Sequence, residues 1–344
     1  MSRAASQLPP AMNAKRAAFI WLALAALGCV VFVAALTLGS VTISPWRALA
    51  ALAHAGTAGA DTVDEIVRNL RLPRAVAGFA CGGLLALAGA LLQVLLRNPL
   101  AEPYVLGVSG GAAVFAIAAL LAGATWWLVD AASFAGALLT IVLVLGFARR
   151  ALAGGEPQEG SPRLLLTGVV LATGWGAGVT LLLTLAPDER LRGILFWLAG
   201  DLNGAANPWP ALAALAIALA AAAPVAPQLN VLARGDALAL ALGVSAGRLR
   251  LRIYLVASLA AAAAVTTAGT IGFVGLVVPH ALRLACGNDQ RMLVPASALA
   301  GGLFVMSADL VARTVAAPAQ LPVGVITALF GVPVFLWMLA RRSR

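Results

Sequence analysis

Long uncharged apolar runs recur along this chain and are separated by short polar segments. Ala75 to Leu96 carries no charge over about 22 residues, which is enough for one crossing of a lipid bilayer. The run from Tyr104 to Leu128 is again uncharged. Between them lies RNPLAEP (97–103), whose two prolines break helix continuity and whose Arg97 and Glu102 are costly in hydrocarbon. The chain is therefore expected to fold as membrane-crossing helices joined by tight turns.

Composition leaves no room for a soluble domain of useful size. Of the 344 residues, 62% are hydrophobic and 10% are charged, whereas a soluble domain carries about 25% charged residues. The first apolar run, Ala17 to Leu38, follows Lys15 and Arg16, and at about 22 residues it exceeds the apolar core of a signal peptide. We expect an uncleaved first span after a cytoplasmic tail at 1–16, in a single membrane domain that covers 1–344.

The apolar runs and the helix breakers between them predict an all-α fold with about ten transmembrane spans. The predicted spans are 17–38, 73–96, 104–124, 126–148, 164–186, 209–226, 253–271, 272–286, 293–314 and 325–340. Spans 2–5 and 7–10 share an Arg-flanked run, a Gly-rich helix and a proline break, and this pattern predicts an inverted internal repeat.

The distribution of charge predicts the orientation in the membrane. Ten spans place both termini on one side, and about 16 of the 23 basic residues then fall on that side, which is typical of the cytoplasm. The exception is the predicted external loop 39–74, which holds Arg47, Arg68, Arg71 and Arg74. The net charge of +10 is explained by this topology and does not indicate nucleic acid as a partner.

Motifs for several kinds of chemistry are missing from the sequence. Lys15 is the only lysine and follows no glycine-rich loop, so this chain is not expected to be an ATPase subunit. The three cysteines are far apart and form no CxxC pair, which argues against a metal site or a disulfide. No catalytic cluster is present either, so we expect no enzyme activity and no cofactor.

Three motifs carry a resemblance to a known family. RLPR at 71–74, RNPLAEPYVLGVSGG at 97–111 and GFVGLVVPHALRL at 272–284 closely resemble the FecCD-type permease subunits of ABC importers for iron-siderophores, haem and cobalamin. The resemblance runs from about residue 17 to the C-terminus. It implies a type II ABC importer permease fold in the bacterial inner membrane.

The resemblance also implies a set of partners. The permease is expected to form a homodimer and to bind two copies of a cytoplasmic ABC ATPase subunit, a periplasmic substrate-binding protein and a metal-chelate substrate. LARGDALALALGVS, RLLLTGV and the C-terminal LPVGVITALFGVPVFLWML are similar to cobalamin permeases, whereas iron-chelate members are more numerous. The substrate therefore stays open among siderophore, haem and cobalamin.

The family's arginines at the external face match three positions of this chain. The resemblance implies that these arginines meet glutamates of the binding protein, because a guanidinium binds a carboxylate through two parallel hydrogen bonds. The matching residues are Arg71 and Arg74 in RLPR and Arg313 in ADLVARTV. The alternative is that they are interfacial anchors at helix ends.

The segment 232–252, LARGDALALALGVSAGRLRLR, resembles the cytoplasmic coupling loop, in which two short helices dock on the ATPase. The residues that carry this resemblance are Asp236, Ala237 and Gly243, and the glycine permits a sharp turn between the helices. The alternative is a basic loop that contacts anionic lipid.

The NPLA turn matches positions that close the cytoplasmic end of the transport path in the family. The implied gate residues are Asn98 and Leu100, with Ser161 as a second position in a loop that differs from the family in length and composition. The alternative is a plain structural turn.

Two rival functions remain. A proton- or sodium-coupled secondary transporter usually needs carboxylates at mid-membrane, whereas the acidic residues here map mostly to loops and helix ends. His280 and Asp309 lie near predicted helix ends and are interpreted as structural or capping residues. An integral-membrane enzyme is disfavoured by the missing catalytic clusters.

Overall fold

The computed structural model describes residues 14–53, 61–152 and 162–342. All regular structure within these ranges is helical. The helices are α1 (Ala14–Thr37), α2 (Pro45–Ala53), α3 (Thr62–Glu65), α4 (Leu72–Leu95), α5 (Val108–Leu121), α6 (Trp126–Leu152), α7 (Pro162–Leu185), α8 (Asp188–Leu198), α9 (Trp209–Ala222), α10 (Ala226–Leu232), α11 (Asp236–Ala241), α12 (Ala246–Ala268), α13 (Val274–Cys286), α14 (Gln290–Thr314) and α15 (Val323–Arg342). Short π or 3₁₀ turns lie at Ile66–Arg71, Pro103–Leu106 and Ala223–Val225.

The ten predicted spans correspond to ten apolar helical stretches. In the described part of the chain, 8 of them are long enough to cross a membrane, and α5 and α13 are shorter apolar helices. The predicted break near 269–272 lies between α12 and α13. The chain is therefore an all-α polytopic membrane protein.

One predicted boundary was wrong. Helix α12 begins at Ala246 and not near 253, so the end of the 232–252 segment is already helical. The described part of the predicted external loop 39–74 contains α2, α3 and the π turn Ile66–Arg71, which lead directly into α4. Pro73 lies in the first turn of α4, where a helix tolerates the missing N–H.

Helix α4 is the centre of the core. Every residue from Ala80 to Leu96 is buried, and α4 packs against α9, α12, α13 and α14. A Cβ on Gly82 would lie 2.2 Å from the carbonyl oxygen of Gly301, and one on Gly89 would lie 1.9 Å from that of Gly275. These glycines allow backbone-to-backbone packing of α4 on α14 and α13.

The internal repeat is visible in the packing. Helix α4 packs on α13 and α14, α12 packs on α5 and α6, and α4 and α12 pack on each other. The short helices α5 and α13 each follow a residue with positive φ, Gly107 (φ 76) and Phe273 (φ 68). Since four spans lie between α4 and α12, these two helices, and with them the two halves, run in opposite directions through the membrane.

Candidate functional site

The predicted functional residues lie at the two ends of α4. With 24 residues and a rise of 1.5 Å per residue, α4 is about 36 Å long, so its ends lie at opposite membrane faces. We call the residues at its start, Arg71, Arg74, Asp309 and Arg313, the arginine cluster. The residues after its end, 98–101, are the NPLA turn.

Arg74 is the partly exposed member of the arginine cluster. Its Nε donates to both oxygens of Asp309 at 2.8 and 3.0 Å, and its Nη2 lies 2.8 Å from Asp309 Oδ1. Its Nη1 donates to Gln320 Oε1 at 2.7 Å and to Asn203 Oδ1. Asp309 thus fixes the guanidinium plane, and one edge of it lies among polar side chains at the surface.

Arg71 and Arg313 are buried, with 6% and 8% of their surfaces exposed. Arg71 Nη1 donates to the carbonyl oxygens of Leu36 and Thr37 at 2.8 and 2.9 Å, and its Nη2 donates to that of Val41. Arg313 Nη2 donates to the carbonyl oxygen of Ala35. Both arginines therefore donate hydrogen bonds to carbonyl oxygens at the C-terminal end of α1. These oxygens have no N–H partner in a following turn of the helix.

The remaining arginines of 39–74 also have partners within the chain. Arg47 lies 3.2 Å from Asp64 and 3.3 Å from Asp61, and Arg68 Nε donates to the carbonyl oxygen of Ala51 at 2.5 Å. Internal pairing therefore explains how this predicted external segment carries four arginines. The charge bias alone does not require an external partner for them.

A cavity of about 1000 Å³ adjoins the arginine cluster. Asn203 and Gln320, which both bond Arg74, line it. The rest of its lining is mixed, and it includes aromatic, acidic and basic side chains: Trp126, Phe196, Trp197, Asp130, Glu189, Asp201 and Arg192. The surface beside Arg74 is thus concave and can receive side chains of another molecule.

The NPLA turn is a compact Asx-type turn. Asn98 Oδ1 accepts a hydrogen bond from the backbone N–H of Leu100 at 2.9 Å, and the Leu100 side chain is exposed. Arg97, immediately before the turn, has φ 47, a left-handed conformation that costs a non-glycine residue roughly 1 kcal/mol or more. Ser161 lies outside the described residues.

The predicted coupling residues lie at the same end as the NPLA turn. Asp236 begins α11 and lies 2.5 Å from Arg97 Nη2, while Arg250 Nη2 donates to both Asp236 oxygens at 2.5 Å. Gly243 (φ 72) makes the sharp turn between α11 and α12, and nothing lies within 4 Å of a Cβ built on it. The conformation of Gly243 therefore matches the expected glycine turn between two helices.

Helix α11 presents an apolar surface outside the membrane. Leu240 is 80% exposed, and Ala237, Leu238 and Leu242 are also exposed, although Arg97, Asp236 and Arg250 place this segment in a polar zone. Exposed leucines on a short extramembrane helix are typical of a contact surface for another protein.

Glu102 and Tyr104 hold the break between α12 and α13. Glu102 Oε1 accepts from the backbone N–H of Phe273 at 2.8 Å, at the N-terminus of α13, and the Tyr104 hydroxyl accepts from that of Ile271 at 3.1 Å. Burial raises the pKa of the Glu102 carboxyl, and the hydrogen bond from Phe273 opposes that rise.

Sequence reasoning missed several of these contacts. It treated Arg97 only as a polar residue of the turn and Arg250 only as one of the basic residues of a lipid-contacting loop, and it did not single out Leu240. Leucines within a polar loop, as in DALALAL, were the available signal for α11. His280 does not lie near a helix end as expected, because it is buried within α13 with its ring 5.8 Å from that of Phe335. In the described ranges no group of three or more His, Cys, Asp or Glu is placed to hold a metal ion.

The ten apolar helical stretches, with polar clusters at both ends of α4, are those of a polytopic membrane protein. The model of the FecCD transport family matches residues 26–341. The chain belongs to the FecCD transport family, and it is a multi-pass ABC importer permease.

Individual proteins are similar over most of the chain. The cobalamin import system permease protein BtuC of Halobacterium salinarum is 42% identical over 307 residues, which cover 87% of this chain and 80% of that protein. The vitamin B12 import system permease protein BtuC of Vibrio cholerae is 38% identical over 331 residues, 95% of this chain and 94% of that protein. A solved metal-chelate type ABC transporter in an inward-facing conformation has 28% identity and a TM-score of 0.81, and the match covers 94% of this chain and 99% of that one.

Proposed function

We propose that this permease moves a cobalamin-type metal chelate from the periplasm into the bacterial cytoplasm, as a homodimer with two ATPase subunits and a substrate-binding protein. Membership of the FecCD transport family supports the importer role. The names of two relatives at 38% and 42% identity support cobalamin over iron-siderophore or haem.

The arginine cluster faces the periplasm, and the NPLA turn, α11 and both termini face the cytoplasm. This orientation places most of the basic residues inside. It also explains why the external arginines are each held by a carboxylate or a backbone carbonyl of the chain.

The observation that carries the proposal is the exposed apolar helix α11. Its leucines lie outside the membrane core, where a helix without a partner would be polar. A cytoplasmic ATPase is a suitable partner because ATP hydrolysis must reach the permease from that side. Asp236, Ala237 and Gly243 form and position this docking helix, and its leucines supply the apolar contact.

Docking of the binding protein rests on Arg74 within the arginine cluster. Arg74 has an exposed edge beside the 1000 Å³ cavity, where an incoming glutamate could bind it. Arg71 and Arg313 act indirectly, since they fix the end of α1 against α4 and α14.

Helix α7 lines the transport path. Thr173, Thr180 and Thr184 share one exposed face of α7 at helical spacing, and nothing lies within 4 Å of a Cβ on Gly174 or Gly176. Small and hydroxylated residues on an exposed face suit a water-filled path more than lipid. A second copy of the chain closes this path, and its NPLA turn meets that of the first at the cytoplasmic end, where Asn98 and Leu100 form the gate. Ser161 is a second gate position by resemblance alone.

The experiment that tests this function is uptake into proteoliposomes that hold the permease with its ATPase, with the binding protein outside and ATP inside. We expect labelled cyanocobalamin to accumulate, and unlabelled cyanocobalamin to compete better than a ferric siderophore or haem. Accumulation of a ferric siderophore or haem but not cyanocobalamin would overturn the substrate assignment. If an assembled complex accumulates none of these three compounds, the importer function would be overturned.

A further inference from the structure

Arg97 connects the NPLA turn to α11. It is the residue between α4 and the turn, and its Nη2 lies 2.5 Å from Asp236 Oδ1 at the start of α11. Asp236 does not depend on Arg97 alone, because Arg250 on α12 donates to both of its oxygens. If the Arg97 guanidinium moved away, the carboxylate would keep a charged partner.

A second place for the Arg97 guanidinium lies next to it. Arg97 lines a cavity of about 190 Å³ together with Arg283 of α13, Gln93 of α4 and Gln290 of α14. These two glutamines are 4% and 0% exposed, and the Oε1 atom of each lacks a hydrogen-bond partner among the described residues.

The amide groups of both glutamines are oriented so that the carbonyl oxygens are the free atoms. Gln93 Nε2 donates to the carbonyl oxygens of Gly275 and Leu276 at 3.3 and 3.4 Å, and Gln290 Nε2 donates to that of Asn288 at 3.4 Å. If the amide oxygen and nitrogen of either glutamine were exchanged, the amide oxygen would face a backbone carbonyl oxygen, and two acceptors would lie against each other. Buried acceptors without donors are unfavourable, and a guanidinium carries five donors.

We propose, on the basis of the proposed function, that Arg97 is a two-position latch between the ATPase-docking helix and the gate. In one position it bonds Asp236, and α11 and the NPLA turn move together. In the other it bonds Gln93 and Gln290, and the turn is released from α11. Asp236 keeps Arg250 in both positions, so the carboxylate stays paired when the Arg97 guanidinium leaves it.

The test uses the reconstituted complex of permease, ATPase and binding protein, and compares Arg97→Gln with Arg291→Gln. Arg291 is an exposed arginine at the start of α14 at the same membrane face, so its variant removes the same charge. Arg97→Gln is expected to keep ATP hydrolysis but lose at least about tenfold in uptake per ATP, which is the effect of one charge-assisted hydrogen bond. Arg291→Gln is expected to match the wild type.

Two further variants exclude a defect in folding. Arg97→Gly removes the side chain and suits φ 47, so it should fold and show the same loss. Gln290→Met removes one acceptor of the second position, and a Leu100→Cys crosslink between protomers should then stop responding to ATP. If the wild type transports, and both Arg97 variants take up as much substrate per ATP as Arg291→Gln does, the latch is refuted. If the wild type itself shows no ATP-driven uptake, the proposed function fails instead.

Discussion

Arg74 and Asp309 join the start of α4 to the end of α14 through three contacts of 2.8 to 3.0 Å, although they lie 235 residues apart in the chain. The carboxylate binds the Nε side of the guanidinium and leaves Nη1 to the surface residues Asn203 and Gln320. A partner carboxylate can therefore replace these neutral groups without breaking the internal pair. The role of Arg74 therefore differs from that of Arg71, because the Arg71 donors bond to backbone carbonyl oxygens.

Arg74→Gln should weaken docking of the binding protein about 10- to 100-fold, since it removes a charge-assisted hydrogen bond worth about 1.5–3 kcal/mol. Surface plasmon resonance on the nanodisc-embedded complex would measure it. Arg71→Gln is the matched control and should leave docking intact. It should lower the unfolding temperature, because it removes hydrogen bonds to the last carbonyl oxygens of α1. Equal loss of docking in both variants would contradict the separation of roles.

Asp309→Ala should destabilise the permease by about 3–5 kcal/mol, because it leaves the buried Arg313 and the partly exposed Arg74 near each other without a counter-charge. Thermal unfolding in detergent, followed by fluorescence, would show the shift. The double variant Asp309→Ala with Arg313→Met should recover part of the stability by removing one of the two cations. If Asp309→Ala unfolds like the wild type, Asp309 does not hold the cluster together.

Leu240→Ser should reduce binding of the ATPase, because it removes a large apolar contact from α11 while leaving the fold unchanged at a position that is 80% exposed. We expect roughly a tenfold loss of affinity for a central interface leucine, measured by co-purification and titration in detergent. Ser245→Ala, an exposed change beyond α11, serves as the control. Unchanged affinity for Leu240→Ser would remove α11 from the interface.

Leu100→Cys in a cysteine-free background should crosslink between two protomers when the cytoplasmic end is closed, and ATP should change the yield. The expectation follows from the exposed Leu100 side chain on the NPLA turn and from a path closed by two copies. Val41→Cys, exposed near the start of α4, should not crosslink. No Leu100 crosslink in any nucleotide state of an active complex would exclude the turn from the gate.

Glu102→Gln should raise the stability of the permease at neutral pH and reduce the dependence of that stability on pH. Burial raises the folded-state pKa of Glu102 above its ordinary value of 4.5, so the folded protein binds more protons than the unfolded chain between these two pKa values. The contribution of Glu102 to stability is therefore fully present below about pH 4.5 and decreases as pH rises to the folded-state pKa. Unfolding temperatures at pH 4 and pH 7 should differ less in the variant, and an unchanged pH dependence would contradict this account.

Much of the fold was predictable because lipid imposes a strong rule. A span needs about 20 apolar residues with all backbone groups bonded internally, so the apolar runs and the helix breakers between them located ten apolar helices, two of them short. The start of α12 was missed because RLRLR reads as a loop, whereas Arg248 and Arg250 bond Ser245 and Asp236 just beyond the apolar part of the helix.

The candidate site was less predictable than the fold. Arg71 and Arg74 belong to one motif, yet their roles differ because Arg71 meets carbonyls of α1 and Arg74 meets Asp309. Such contacts join residues far apart in the chain and leave no local pattern. The Arg97–Asp236 pair is similarly hidden, since 139 residues separate its members.

The most direct test of the account is the energy source for uptake. Proteoliposomes with the complete complex should accumulate cyanocobalamin only with ATP inside, stop when vanadate blocks the ATPase, and continue when a protonophore and a sodium ionophore collapse ion gradients. The account would be contradicted if the permease alone took up cyanocobalamin, driven by a proton or sodium gradient and insensitive to vanadate.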